Sequence, residues 1–228
     1  MPEVTTTLTL DRTEDLEDVL SDTVAVINGE TLAVRSVDLS AGRVTVDRGI
    51  NDTVPGYHPA GSRIWFLGTD SGVYDNQYVD GESVDVKLLP VTSGDRLELS
   101  EAPADTVAFD ARLWRPYPPG DFRLNGSRYP EIVSGTLSVT WAHRDRTQQT
   151  ANLIAQDAGD VGPEAGTTYA LRFLLTDGTL LREETGITGT SYNYPGEAGD
   201  TSLQSQDSQR RFVKPDGTAF TLEPSERV

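Results

Sequence analysis

The chain has 228 residues, 36% of them hydrophobic, and carries 36 acidic against 19 basic residues for a net charge of −17. That length fits one large or two small domains with a buried core, and the apolar content argues against a disordered chain. The absence of cysteine excludes disulfides and thiolate metal sites, and the negative field repels nucleic acid and anionic membrane surfaces.

The N-terminal stretch MPEVTTTLTLDRTEDLEDVL has no basic segment followed by an apolar one, so no signal peptide is read there. No apolar run reaches the length of a membrane span. The acidic stretch DRTEDLEDVLSD reads as a solvated face or a short capped helix. Frequent Gly and Pro with many Val and Thr point to an all-β fold. In TVAVINGETLAV (23–34), Asn28-Gly29 lies between two β-branched runs and predicts a type I′ hairpin, because both central residues of that turn need positive φ. The next turn falls near Ser40-Ala41-Gly42, and the alternation of Val44 and Val46 adds a third strand, making a meander by Asp47. Gly49, Pro55, Gly56, Pro59 and Gly61 make 48–62 a long irregular loop, followed by a short apolar strand at Arg63 to Leu67. Strand-like runs continue at 83–91, in RLELS and in TVAFDARLW.

WRPYPPGDFRLNG (114–126) reads as a boundary. Pro116, Pro118 and Pro119 lack donors and fix φ, so no central strand passes through them. The second half opens with TLSVTWAHRD (136–145), in which the alternation of Leu137, Val139 and Trp141 buries the indole. TTYALRFLLTDGTLLREETG predicts a hairpin turning at Asp177-Gly178, with Tyr169, Leu171 and Phe173 on one face. A short helix is expected over 147–158, a strand at TSYNY (190–194), and a last small hairpin around Asp216-Gly217. The default for Trp65, Trp114 and Trp141 is core packing.

His143-Arg144-Asp145 matches the opening of a protein-kinase catalytic loop, but the position that needs Asn for magnesium is Thr150, and Asn152 is out of register. No phosphate-binding glycine loop is present, and GDFRL (120–124) precedes this stretch instead of following it. The strand is expected to end near His143, with Arg144, Asp145 and Arg146 as a solvated or mutually paired rim. No G-x-S-x-G elbow exists, and His58 and His143, the chain's two histidines, fall in different halves. No catalytic, cofactor-binding or metal-ligating residue is therefore nominated, and no cofactor is expected. Of the two N-x-S/T triplets, Asn51-Asp52-Thr53 and Asn125-Gly126-Ser127, the second reads better as a turn.

VTVDRGINDTVPGYHPAGSRIWF (44–66) resembles a stretch of tail-tip proteins in long-tailed bacteriophages, where an R-G-x-x-D-T-x-P-x-x-H-x-x-G-x-R pattern follows a small β meander. Arg48, Gly49, Asp52, Thr53, Pro55, His58, Gly61 and Arg63 carry it here. ESVDVKLLPVTSGDRLELSEAPA (82–104) and RPYPPGDFRLNG (115–126) also resemble that family, as do LSVTWAHRDRTQQT and GPEAGTTYALRF. Similar chains occur in gene transfer agent tails and prophage-derived particles. The resemblance implies an N-terminal β meander or barrel-like domain over 1–115. A fibronectin type III-like sandwich would follow over 116–228, its segment from about 200 to 228 being atypical. DTSLQSQDSQRR does not supply the next long strand of such a fold, so the sandwich is completed either by the hairpin near Asp216 or by a strand from a neighbour. The resemblance further implies a non-enzymatic virion protein of the baseplate hub or tail tip, made in the host cytoplasm. Its expected partners are other tail proteins, further copies in a threefold ring and a host-surface glycan or protein, with neither nucleic acid nor membrane insertion. The alternative is a carbohydrate- or protein-binding adhesion module.

Overall fold

The computed structural model describes residues 5–68, 76, 78–110, 115–128, 136–148, 153–175, 180–194, 204–205, 212–213 and 218–224. The chain is all-β. The described strands lie in four antiparallel sheets, and the sole helical element among them is one 3₁₀ turn at Leu16–Asp18. Two compact units result: residues 1–71 together with 116–228, and residues 72–115. The polypeptide thus leaves the larger unit after Ser71 and returns at Pro116, where the proline-rich stretch begins. This partition differs from a sequential one, since the first and last segments share a unit.

Within the larger unit, β1 (Thr7–Thr9), β2 (Val24–Ile27), β3 (Glu30–Asp38), β4 (Arg43–Asp47) and β5 (Ile64–Leu67) form one sheet in the order β1-β4-β3-β2-β5. The β2–β3 hairpin turns where expected. Asn28 and Gly29 both have positive φ, 46° and 83°, and Ile27 pairs with Glu30. Alternation then places Leu8, Ala25, Ile27, Leu32, Val34, Val44 and Val46 on one buried face, with Leu16 of the 3₁₀ turn packed against it. The β3–β4 register shifts between Val34 and Ser36. Such a bulge re-aims the side chain within it, and Arg35 reaches Asp47 at 2.7 Å, Asp22 at 2.5 Å and the carbonyl of Leu153. On the opposite face, Ala33 packs with Ile50 and Ala155.

The rest of this unit is a sandwich. β8 (Gly120–Leu124), β9 (Leu137–Ala142) and β12 (Ser191–Tyr194) form a sheet in the order β12-β9-β8. The second sheet contains β10 (Tyr169–Leu175), β11 (Leu180–Ile187), β13 (Gln204–Ser205), β14 (Phe212–Val213) and β15 (Thr218–Pro224), in the order β11-β10-β15-β14-β13. Inner faces meet in one core, with Phe122, Leu124, Leu137, Val139, Trp141 and Tyr194 from the first sheet against Tyr169, Leu171 and Phe173 from the second. The Phe173 and Tyr194 rings stack with centroids 4.2 Å apart. The backbone of β15 pairs with β10 from Leu175↔Thr218 to Tyr169↔Pro224, so the late hairpin supplies the strand that DTSLQSQDSQRR does not. Both expected turn sites, 177–178 and 216–217, lie outside the described residues.

Several expectations need correction. β8 follows the prolines directly and was not read from the sequence; it is tolerated there because it is an edge strand of its sheet. The described parts of 147–158 are turns and irregular backbone, not helix, and residues 149–152 lie outside the described set. Trp141 is buried as expected, but Trp65 is 58% exposed, and Trp114 is outside the described residues.

In the smaller unit, β6 (Ser83–Val86) pairs with β7 (Asp105–Ala108), and RLELS contributes only a bridge between Arg96 and Val91. Tyr78 and Phe109 stack at 4.3 Å.

On the sandwich edge, the Arg172–Glu183 pair spans β10 and β11 at 2.6 Å with both side chains partly exposed. Exposed pairs contribute little because water screens them, so Glu183→Ala should change stability by less than about 1 kcal/mol in a urea titration.

Candidate functional site

The motif-bearing loop folds around Glu30, the residue that follows the β2–β3 turn. Glu30, Arg48 and His58 are all buried. Oε1 of Glu30 accepts from Arg48 Nε at 2.6 Å and from the Gly49 amide at 3.0 Å. Oε2 accepts from Arg48 Nη2 at 2.6 Å, the Gly56 amide at 2.8 Å and His58 Nε2 at 2.8 Å. The Arg48 fork is bidentate, the strongest geometry for a guanidinium–carboxylate pair. Its other donors close the loop, with Nη2 also donating to the Gly56 carbonyl at 2.6 Å and Nη1 to Thr5 at 3.1 Å. A buried carboxylate with this many donors is satisfied as an anion, which is the condition for burying it at all.

The tautomer of His58 follows from its neighbours. Asn28 Nδ2 lies 3.2 Å from His58 Nδ1. An amide NH2 group only donates, so Nδ1 accepts and Nε2–H donates to Glu30. The same Nδ2 donates to Ser62 Oγ at 3.0 Å. The turn residue Asn28 therefore ties the hairpin to the far end of the loop. Thr53 closes the near end, its hydroxyl donating to the Ile50 carbonyl at 2.7 Å and accepting from the Thr31 amide at 3.1 Å.

The motif's glycine and proline have matching reasons. Gly49 has φ +60°, and a Cβ there would lie 2.7 Å from Pro55 Cδ and 2.8 Å from Gln156 Cγ. Gln156 joins this loop to the sandwich. Its amide donates to the Arg48 carbonyl at 3.2 Å, and its own carbonyl accepts from the Asp121 amide at 3.0 Å.

The His143-Arg144-Asp145 stretch is not the rim the sequence predicts. Arg144 is among the largest fully buried side chains, and Asp145 is buried too. Arg144 Nη1 donates to the Thr53 carbonyl at 3.3 Å, its guanidinium carbon lies 5.1 Å from the Tyr117 ring centre, and its stem lies against Gly120. Asp145 accepts from Thr147 Oγ1 at 2.5 Å, the Thr147 amide at 2.8 Å and Gln148 Nε2 at 2.8 Å. Burial alone would raise its pKa; the hydrogen bonds from Thr147 and Gln148 outweigh it and hold the carboxyl below its usual value. Arg146 pairs with Glu164 at 2.9 Å. The stretch thus packs the sandwich against the Arg48–Arg63 loop.

His143 Nδ1 and the Tyr169 hydroxyl share a hydrogen bond of 2.9 Å. Burial, with a smaller effect from Asp160, pushes the Tyr169 phenol up to about 12. A raised phenol pKa means that the fold favours the neutral form. Its contribution is therefore complete below the ordinary value near 10 and is lost as pH rises through about 12. Alkaline unfolding of the wild type should steepen across that window, and Tyr169→Phe should flatten it, measured by urea midpoints against pH.

The loop brings His58 together with a carboxylate, whereas His143 sits elsewhere with a tyrosine. Glu30 itself was missed from sequence. Its one signal was indirect: Arg48, His58 and two glycine amides are donors that a compact loop must satisfy. Among the described residues, no group of three or more His, Asp or Glu is placed to hold a metal ion. None of their helices is long and apolar enough to cross a membrane. No protein-family model matches the chain, and neither does any curated protein.

Proposed function

We propose that this protein is a non-catalytic structural component of a phage-like tail, at the baseplate hub or tail tip, acting by assembly with other tail proteins and with further copies in a threefold ring. One observation carries the reading together with the sequence resemblance. Arg48, Gly49 and His58 of the R-G-x-x-D-T-x-P-x-x-H pattern all bind Glu30, and Thr53 binds the Ile50 carbonyl within the loop, so these four positions are accounted for by a scaffold. Such a rigid scaffold presents sheet edges and loops to neighbours. The fibronectin type III-like assignment of the sandwich belongs to the same proposal. Antibody-labelled electron microscopy of induced cultures tests it. Label confined to one end of a tail supports it; label along the shaft, or protein found on cells without tailed particles, overturns the tip assignment.

A second reading, an adhesion loop for a host-surface glycan or protein, is favoured by Tyr57, 59% exposed beside the buried His58. Its probe is Tyr57→Phe or Tyr57→Ala on a glycan array. Changing His58 would damage the loop itself.

A further inference from the structure

We infer that the open edge of β5 is a docking groove for an extended, basic and apolar segment of a partner protein, which adds to the sheet as a sixth strand. β5 pairs with β2 on one side, and among the described residues nothing pairs with its other side. Natural edge strands are blunted by lysine, proline, bulges or shortness. The opposite edge, β1, is three residues of Thr-Leu-Thr. β5, one residue longer, reads Ile-Trp-Phe-Leu and has no lysine, proline or bulge within it.

The core is also incomplete at this edge. Ile64 and Phe66 are only partly buried against the sheet's apolar face. A groove of about 890 Å³ runs beside them, between β5 and the strap that carries the 3₁₀ turn. Its apolar lining includes Leu10, Leu16, Leu20, Ile64 and Phe66, and consecutive residues of β5 contribute to it, as expected of a groove along a strand edge. Leu20 is 59% and Trp65 58% exposed. At about 3.3 Å per residue, β5 offers pairing for about four residues of an incoming strand.

Charge decides the occupant. Glu14, Asp15, Glu17 and Asp18 line the groove against one cation, Arg12, and all five are exposed. An incoming strand that carries Lys or Arg beside its apolar residues meets this lining favourably, and an acidic one is repelled. A second copy of a chain with net charge −17 is disfavoured on the same ground. Backbone pairing supplies affinity, the apolar lining takes alternate side chains, and the carboxylates select for cations.

The inference deepens the assembly reading and rests on it for the partner's origin in a tail. The test uses purified chain alone, so it can succeed where particle labelling fails, and the reverse. A library of random nine-residue peptides is panned on the full chain. The enriched peptides should alternate apolar residues with Lys or Arg. Binding of one such peptide should slow amide hydrogen exchange at 64–68 and weaken with added salt. Glu17→Lys with Asp18→Lys should weaken it about tenfold without changing the thermal melt. Leu20→Asp, also at an exposed position, should weaken it independently. The proposal is overturned by no enrichment, by enriched peptides without cations, by a footprint away from β5, by unchanged affinity in both variants, or by concentration-dependent self-association through the same residues.

Discussion

Glu30→Ala is expected to destabilise the protein by about 3–5 kcal/mol, read as a lowered midpoint in urea. The substitution removes one partner of a buried ion pair and leaves Arg48, the Gly49 and Gly56 amides and His58 Nε2 without their shared acceptor. Each buried donor left unmade carries a desolvation cost, and the charged one the largest. Glu30→Gln should rescue little, because an amide replaces one acceptor oxygen with an NH2 group that faces further donors. The double variant Glu30→Leu/Arg48→Met should recover part of the loss, since removing both charges leaves none uncompensated. A loss below about 1 kcal/mol for Glu30→Ala, the range of exposed pairs, would mean that water reaches the carboxylate.

Glycine positions provide the second large effect. Gly29 and Gly49 both have positive φ, +83° and +60°. A Cβ at Gly29 meets nothing within 4 Å, so Gly29→Ala should cost only backbone strain, about 1–2 kcal/mol. At Gly49 the same strain combines with overpacking against Pro55 and Gln156, raising the expected cost to about 2–5 kcal/mol. Because the Gln156 amide donates to the Arg48 carbonyl, moving Gln156 aside also loosens the join between loop and sandwich. Urea titrations of the two variants should separate them clearly. Equal costs would show that the loop yields to the added methyl.

How far the sequence could be read depends on the range of the interaction. Local rules located Asn28-Gly29, because turn chemistry is a property of two residues. They also located the inward face of β10, because Tyr169, Leu171 and Phe173 alternate. Glu30 was illegible for the opposite reason: a glutamate after a turn is ordinarily solvated, and its partners come from 18 to 28 residues later. Arg144 was misread likewise. The sequence separation to its acceptor on Thr53 is 91 residues, and nothing near Arg144 signals that a loop will cover it. Trp65 misled because strand alternation tells which residues share a face but not whether anything covers that face. The prolines at 116, 118 and 119 concealed β8, since a strand starting just after them loses no donor of its own.

The Arg48–Arg63 loop is a closed part of the scaffold, held through Glu30, and not an open, adaptable surface. Native-state hydrogen exchange of the Gly49 and Gly56 amides, both donors to Glu30, tests this most directly. Exchange as slow as that of the core strands β3 and β10, opening only with global unfolding, is the predicted result. Exchange at rates near those of an unstructured loop, with the core strands still protected, would contradict it.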